Sequence, residues 1–454
     1  MSSIVPVQVS GAAAASSFKL GEPVSSTNPL PVKLTAPDGG LYTFARQPFN
    51  HQVAVLGDSI PYGNSFQLTG SGVYTRQYVQ GYANWAAFLG RQRWTLDHED
   101  NFGVAGNTTA EVLARTDAAL AATTAGTVIL DCLTNDEPNG ISLAQSKLNY
   151  QAIIDKIILS GRIAVLITPR PRDITASGLT MTATQFRAHC ARRDWVLGLN
   201  APGQGIYVVD MWRYLADPSS TNGAMRTNYS YDGVHPGAIG GYWGGKALAE
   251  LFGEGRGPGL FPFRDVLVAQ NTDVWNASYT RGCVNSNPML AGGTTAATGY
   301  TVGGGSGVTV TGSKVTSGDR SDVQQCVLSG TASAGADVYD FYQTITAGNL
   351  SVGDVVRAYA DIEYDAAITG ISSHGLTLID TTGFNDGAGF LSDSTSVNNQ
   401  AVALPNVAVS GVMRTPRLTL THTTLRAGMK ARTINGAAVA LTYRMKAMSV
   451  RKAS

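Results

Sequence analysis

A serine, an aspartate and a histidine, distant from one another in the chain, carry the residue types of nucleophilic catalysis. Ser59 stands in Gly57-Asp58-Ser59-Ile60, directly behind the apolar run Val53-Ala54-Val55-Leu56. A serine hydroxyl is a poor nucleophile at neutral pH and needs a base beside it. Imidazole suits taking that proton and returning it to the leaving group. A carboxylate must in turn fix the imidazole's tautomer and steady the imidazolium. Asp232 and His235, in Tyr231-Asp232-Gly233-Val234-His235-Pro236, could supply both from one turn. The chain order is then Ser, Asp, His, one of several that reach this geometry. No G-x-S-x-G elbow occurs, which argues against an ordinary α/β-hydrolase.

Acyl transfer also requires hydrogen-bond donors aimed at the developing oxyanion. A backbone N–H at a glycine and an Asn side-chain amide are suitable, and Gly106 and Asn135 fit that need beside the N–H of Ser59 itself. Gly106 lies in Asn101-Phe102-Gly103-Val104-Ala105-Gly106-Asn107-Thr108-Thr109, ahead of a helical pattern that begins at Ala110. Asn135 lies in Leu133-Thr134-Asn135-Asp136, delivered by the apolar run Val128-Ile129-Leu130-Asp131-Cys132.

The elements that position these residues alternate in period. Apolar runs at 53–56, 127–132, 163–168 and 206–210, with a shorter one ending near 102, read as buried strands. Helical stretches fall near 78–92, 109–122, 142–160, 182–199 and 240–252. Strand and helix in alternation predict an α/β domain, a parallel sheet with helices on both faces and right-handed crossovers. Ligands of such sheets gather at the carboxyl ends of strands, where Ser59 and Asn135 fall.

These segments resemble the blocks of the SGNH hydrolase superfamily, the GDSL esterases. Ser59 matches the nucleophile of block I, Gly106 the oxyanion glycine of block II and Asn135 the asparagine of block III. Asp232 and His235 match the D-x-x-H of the last block. The run from Gly233 through Pro236 to Gly240-Gly241-Tyr242 and the helical Lys246-Ala247-Leu248-Ala249-Glu250-Leu251 resembles that family's closing segment. The resemblance covers residues 50 to 255 and implies a flavodoxin-like three-layer α/β/α fold and esters, rather than amides, as substrates. One departure bears on the local backbone: block III usually reads G-x-N-D, and Leu133 stands where that glycine would be.

Other polar residues draw blander expectations. Asp58 braces the nucleophile loop. Arg170 and Arg172, just past the run Ile163–Ile167, could meet an anionic substrate, but solvated loop charges are the commoner reading. His51, His98, His189, His374 and His422 have no second His or Cys at metal-ligand spacing, so no metal or cofactor is implied. Cys132 reads as a small apolar filler. Cys283 and Cys326 are the pair that could bond, and with so few cysteines the redox compartment stays open.

Residues 1–50, with Pro23, Pro29, Pro31 and Pro37, read as an extended arm with short strands such as Leu30–Leu34. Asn28-Pro29-Leu30-Pro31-Val32 resembles N-terminal arms of bacteriophage particle proteins, beside the alternative of a strand packed along the hydrolase. Gly253-Glu254-Gly255-Arg256-Gly257-Pro258-Gly259 reads as a linker by composition. The division expected is an arm (1–50), a hydrolase domain (51–255), a linker (256–261) and a second domain (262–454). Few contacts should cross the joint, so the hydrolase should be separable. Beyond the linker the period changes to two at 307–312, 355–364, 375–379, 418–421 and 439–450, with Gly-rich turns, which predicts an antiparallel β-sandwich. Asn287–Gly293 followed by Thr298-Gly299-Tyr300 resembles the opening of jelly-roll carbohydrate-binding modules; a structural or oligomerising β domain is the alternative.

A net charge of +1 with no Lys/Arg cluster offers no footprint for nucleic acid. No apolar stretch approaches the roughly 20 residues of a membrane helix, and the N-terminus lacks the pattern of a secretory signal. The leading expectation is a serine ester hydrolase that removes O-acetyl groups from a carbohydrate or polysaccharide, as in a phage tail component or an extracellular protein. The sandwich would then bind glycan or form a homo-oligomer. The competing expectation is a glycan-binding virion or adhesion protein in which the hydrolase fold is a scaffold.

Overall fold

The computed structural model describes residues 50–453 apart from 70–72, 176–179, 268–269, 277, 281, 319, 334, 336, 347, 381–385 and 389–403. Ahead of residue 50 it describes only four three-residue strands, so the arm expected over 1–50 lies almost wholly outside the described residues.

Five strands form the first sheet: β1 (Val53–Gly57), β2 (Asn101–Gly103), β3 (Thr127–Asp131), β4 (Ile163–Ile167) and β5 (Ile206–Val209). All pairs are parallel and the order is β5-β4-β3-β1-β2. This is the doubly wound arrangement whose order reverses beside β1, and ligands of such sheets bind at the carboxyl ends of the strands flanking that reversal, here β1 and β3. Alternate strand residues point to two cores. Val53, Val55, Ile129 and Val165 face one; Ala54, Leu56, Val128, Leu130 and Leu166 face the other. Burial on both faces is why these strands read as unbroken apolar runs.

Helices α1 (Tyr82–Leu89), α2 (Thr109–Ala122), α3 (Leu143–Leu159), α4 (Ala183–Leu197) and α5 (Ala238–Phe252) cover the sheet. α1 and α5 lie on the first face and α2, α3 and α4 supply residues to the second, giving the expected three layers. Local chemistry starts them: Thr108 with Glu111 and Thr182 with Gln185 form capping boxes, and Ser142 caps α3. No helix among the described residues is long and apolar enough to cross a membrane.

The C-terminal part is a β-sandwich of two largely antiparallel sheets. One contains Asp337–Ile345, Leu425–Thr433 and Ile371–Asp380. The other contains Val308–Ser317, Arg320–Thr331, Ala438–Lys452, Val355–Tyr364 and Val409–Arg414. Arg320–Thr331, Asp337–Ile345, Val409–Arg414 and Leu425–Thr433 were not anticipated from the period-two pattern. Leu425–Thr433 turns small Ala427 and Ala431 inward and also buries Lys430, while Arg320–Thr331 buries Gln324, so large apolar residues do not alternate there.

The joint between the two parts differs from a linker with few crossing contacts. Arg93 Nη1 donates to the carbonyls of Gly257 (2.9 Å) and Phe261 (3.0 Å), and Nη2 donates to that of Gly255 (2.6 Å). One buried guanidinium thus satisfies carbonyls that a Gly-rich segment cannot pair by itself. Phe261 is wholly buried against Phe252 and Trp94.

The turn after α1 is a docking surface. Arg91 and Gln92 both have left-handed backbones, φ 56° and 57°, unusual for two consecutive non-glycines. Arg91 makes a bidentate pair with Asp361 (3.2 and 2.8 Å), and Gln92 Nε2 donates to the Val412 carbonyl (2.8 Å). Asp97 receives Arg357 (2.6 Å), Arg414 (3.0 Å) and Arg417 (3.6 Å). A hairpin of Ser65–Thr69 and Val73–Gln77, inside the hydrolase sequence, pairs in parallel with Asp386–Ala388 and so extends a sandwich sheet. Phe88, Leu89 and Trp94 share one apolar core with Val356, Met413 and Leu418. All four cysteines are free; Cys283 and Cys326 do not pair.

Candidate active site

Ser59 opens a single helical turn, Ser59–Tyr62, that begins where β1 ends. Asp58 caps it, its Oδ1 accepting from the Ile60 N–H at 2.9 Å. β1 approaches β3 so closely here that a Cβ on Gly57 would lie 1.9 Å from the Asp131 carbonyl oxygen, so only glycine fits. Ser59 Oγ is 2.8 Å from His235 Nε2, and His235 Nδ1 is 2.6 Å from Asp232 Oδ2. The three residues separated in sequence are therefore one hydrogen-bonded chain.

The loop that carries Asp232 and His235 is built on its own side chains. Asp232 Oδ1 accepts from the backbone N–H groups of Val234 (2.9 Å) and His235 (2.7 Å). Ser230 Oγ accepts from the Gly233 N–H (2.8 Å) and donates to the His235 carbonyl (2.7 Å). The Tyr231 ring stacks on the imidazole, centroids 5.6 Å apart and planes 10° apart. Burial acts to raise the Asp232 carboxyl, but the hydrogen bonds from His235 outweigh it and hold the group below its ordinary value. It is thereby kept ionised, as orienting an imidazole requires.

Gly106 lies in the exposed loop between β2 and α2 with φ +81°, a conformation glycine adopts without strain. Asn135 Nδ2 donates to the Asn107 carbonyl (3.1 Å), which brings the Asn135 amide to that loop. Asp136 is wholly buried and accepts from the Thr109 N–H and hydroxyl, both at 2.8 Å, and from the Ser146 hydroxyl. It ties the turn after β3 to the starts of α2 and α3. Leu133 needs no glycine: its side chain is buried in the second core and its φ is not left-handed.

Arg170 and Arg172 are not solvated loop charges. Arg170, 3% exposed, makes a bidentate pair with Asp131 (2.9 and 2.8 Å) and lies over the Tyr82 ring, while Arg172, 1% exposed, donates to the Thr134 carbonyl. Their sequence neighbours end a buried sheet, so the charges turn inward to meet the Asp131 carboxylate and the Thr134 carbonyl, which are themselves buried there. His189 is likewise buried, against the Arg170 carbonyl. Asp58 is pushed up to about 7, first by burial and then by the Asp131 charge, against the Ile60 N–H, Arg170 and His235.

That shift has a consequence for stability. Between the unfolded carboxyl value and about 7 the folded protein holds a proton that the unfolded chain has released, so stability falls as pH rises through this window. Asp58→Asn keeps an acceptor for Ile60 but cannot ionise. Its melting temperature should therefore decline less than wild type between pH 4 and pH 8. Parallel melting curves for the two proteins would remove Asp58 from this role.

Asn107, Ser230 and Tyr231 belong to the site but had no signal in sequence spacing. Asn107 acts through its carbonyl, Ser230 through a hydroxyl that bridges two backbone groups and Tyr231 through a stacked ring, and none of these has a motif.

Residues 55–241 match the model of the GDSL-like lipase/acylhydrolase family. Solved structures similar to this chain include a member of the lipolytic protein G-D-S-L family from Veillonella parvula DSM 2008 (15% identity, 44% of this chain and 97% of that one, TM-score 0.31). A GDSL-like lipase from Bacteroides thetaiotaomicron VPI-5482 is 14% identical over 44% of this chain and 86% of its own, with TM-score 0.35. An acetyl xylan esterase, AlAXEase, is 16% identical over 44% and 98%, with TM-score 0.34. A comparison with curated proteins gave no match. Residues 55–241 are, on the family match, a GDSL-like lipase/acylhydrolase domain.

Proposed function

We propose that the protein is a serine carboxylic-ester hydrolase acting on O-acetyl groups of a carbohydrate or polysaccharide. The observation that carries it is the continuous contact from Ser59 Oγ through His235 to Asp232. Ser59 attacks the acyl carbonyl while His235 Nε2 takes its proton and Asp232 steadies the imidazolium. The N–H groups of Ser59 and Gly106 and the Asn135 amide hold the oxyanion. His235 then protonates the leaving alcohol, and a water activated by His235 releases acetate from Ser59.

A polymer substrate is favoured by how open the site is. Val104, Ala105 and Gly106 are all exposed, and the His235 and Asp232 side chains keep 24% and 30% of their surface. Such a rim lets a chain lie across Ser59 and leaves little apolar wall for a long acyl group. The sandwich would bind the same polymer. The chemistry would also serve a phage tail component acting on a host surface polysaccharide. A purely scaffolding hydrolase fold gives no reason for Ser59 and His235 to be in contact.

The test is release of p-nitrophenol from its acetate ester, followed by acetate release from a panel of acetylated polysaccharides. Silence on every acetylated polymer together with turnover of long-chain esters would reject the acetyl reading. Within this reading Asn135→Ala should lower kcat by roughly 10²–10³ with little change in KM, because its amide is needed only once the oxyanion forms. Steady-state kinetics of the variant check this; full kcat would make Asn135 a turn residue.

A further inference from the structure

One guanidinium joins three segments of the site. Arg115, on α2, donates from Nε to Asn107 Oδ1 (2.8 Å), from Nη1 to the Phe102 carbonyl (2.7 Å) and from Nη2 to the Gly57 carbonyl (2.6 Å). Gly57 ends the strand that delivers Ser59, Phe102 belongs to the neighbouring strand, and Asn107 follows Gly106 in the oxyanion loop. A guanidinium is a rigid planar fork, so satisfying all three acceptors at once sets their spacing.

The chain continues beyond Asn107. Its carbonyl accepts one N–H of the Asn135 amide (3.1 Å). A primary amide has two N–H groups in a fixed plane, so holding one sets the direction of the other. The base from which Arg115 reaches is itself anchored. The Glu111 carboxylate accepts from the Thr108 N–H (2.7 Å), and Asp136 holds Thr109 at the first turn of the same helix.

Resting on the ester-hydrolase reading, we propose that Arg115 is a positioning residue that acts through Asn107 to set the oxyanion donors Gly106 and Asn135 relative to Ser59. It touches no substrate atom. Its effect is confined to the step in which the oxyanion forms, because ground-state binding does not use those donors fully.

Arg115→Ala should lower kcat for p-nitrophenyl acetate roughly 10²-fold, the scale of an ångström-sized misplacement, with KM within about 3-fold. Added guanidinium ion should restore part of that kcat, whereas Arg115→Lys should not, since one ammonium cannot span three acceptors. A folded Arg115→Ala protein with wild-type kcat, or a change confined to KM, overturns the proposal. If Arg115→Ala does not fold, Asn107→Ala removes one acceptor alone; it should still lower kcat, and unchanged kcat there is equally fatal.

A second readout separates this inference from the ester reading. In a p-nitrophenyl phosphonate, Ser59 Oγ bonds to phosphorus as the nitrophenolate leaves, His235 takes the serine proton, and the phosphoryl oxygen sits in the oxyanion site. Wild type that labels at Ser59 but cleaves no carboxylic ester would fail the ester reading alone. Labelling that is slower in Arg115→Ala than in wild type supports the positioning role, and equal labelling rates reject it.

Discussion

Ser59→Ala and His235→Ala are each expected to remove roughly 10⁴–10⁶ of the esterase kcat while leaving the fold intact. The geometry explains why the losses should not multiply. Ser59 Oγ is 2.8 Å from His235 Nε2, and without either atom the proton transfer that makes the nucleophile has no path. The double variant should therefore be hardly slower than either single one. Steady-state kinetics of the three proteins, with circular dichroism to confirm folding, make the comparison. Independent, multiplicative losses would place the nucleophile or its base elsewhere. Ser59 is only partly exposed at the start of a capped turn, so losing its hydroxyl opens no large cavity.

Asp97→Ala is expected to be the most damaging substitution outside the Ser59–His235–Asp232 chain. The carboxylate meets three guanidiniums, and Arg414 and Arg357 are only 1% and 7% exposed. Burial acts to raise the Asp97 carboxyl, but Arg414 and Arg357 outweigh it and hold it well below the ordinary carboxylate range. Removing it leaves buried positive charges facing one another, which costs about 3–5 kcal/mol when a buried pair is broken. The melting temperature should fall sharply, whereas Arg417→Ala, whose side chain is half exposed at 3.6 Å, should cost no more than about 1 kcal/mol. Thermal melts of the two variants decide it, and equal small shifts would mean that solvent screens Asp97. This contribution is complete above the unfolded carboxylate pKa and is lost only as pH falls below it.

The same interface governs truncation. Cutting at 253–259 would expose Phe88, Leu89 and Trp94 and strand Arg91, Arg93 and Asp97, so the isolated hydrolase should aggregate. Gel filtration of the truncated protein tests this, and a soluble monomer would mean that the two parts need little from each other. The sandwich is therefore held against the hydrolase by buried contacts, unlike a module tethered through a flexible linker.

The amino-acid sequence by itself determined the parallel sheet and the segments that hold Ser59, Gly106, Asn135, Asp232 and His235. Strands buried on both faces must be apolar throughout, and a turn at a strand exit can accept few residue types, so both leave local marks. The alternation in Val355–Tyr364 was legible because Val356, Ala358, Ala360, Ile362 and Tyr364 turn to one apolar core while the residues between them do not. Only the tertiary structure decided that Ser59 and His235 touch, that Arg170 pairs with Asp131 beneath them, and that Arg115 bridges Gly57, Phe102 and Asn107. A long charged side chain has the same letter whether it faces water or a buried carboxylate, and what it meets depends on chain segments far away in sequence. The glycines at 253–259 mislead in the same way. Composition makes them a linker, but Arg93, some 160 residues earlier, supplies the donors that fold them into the core.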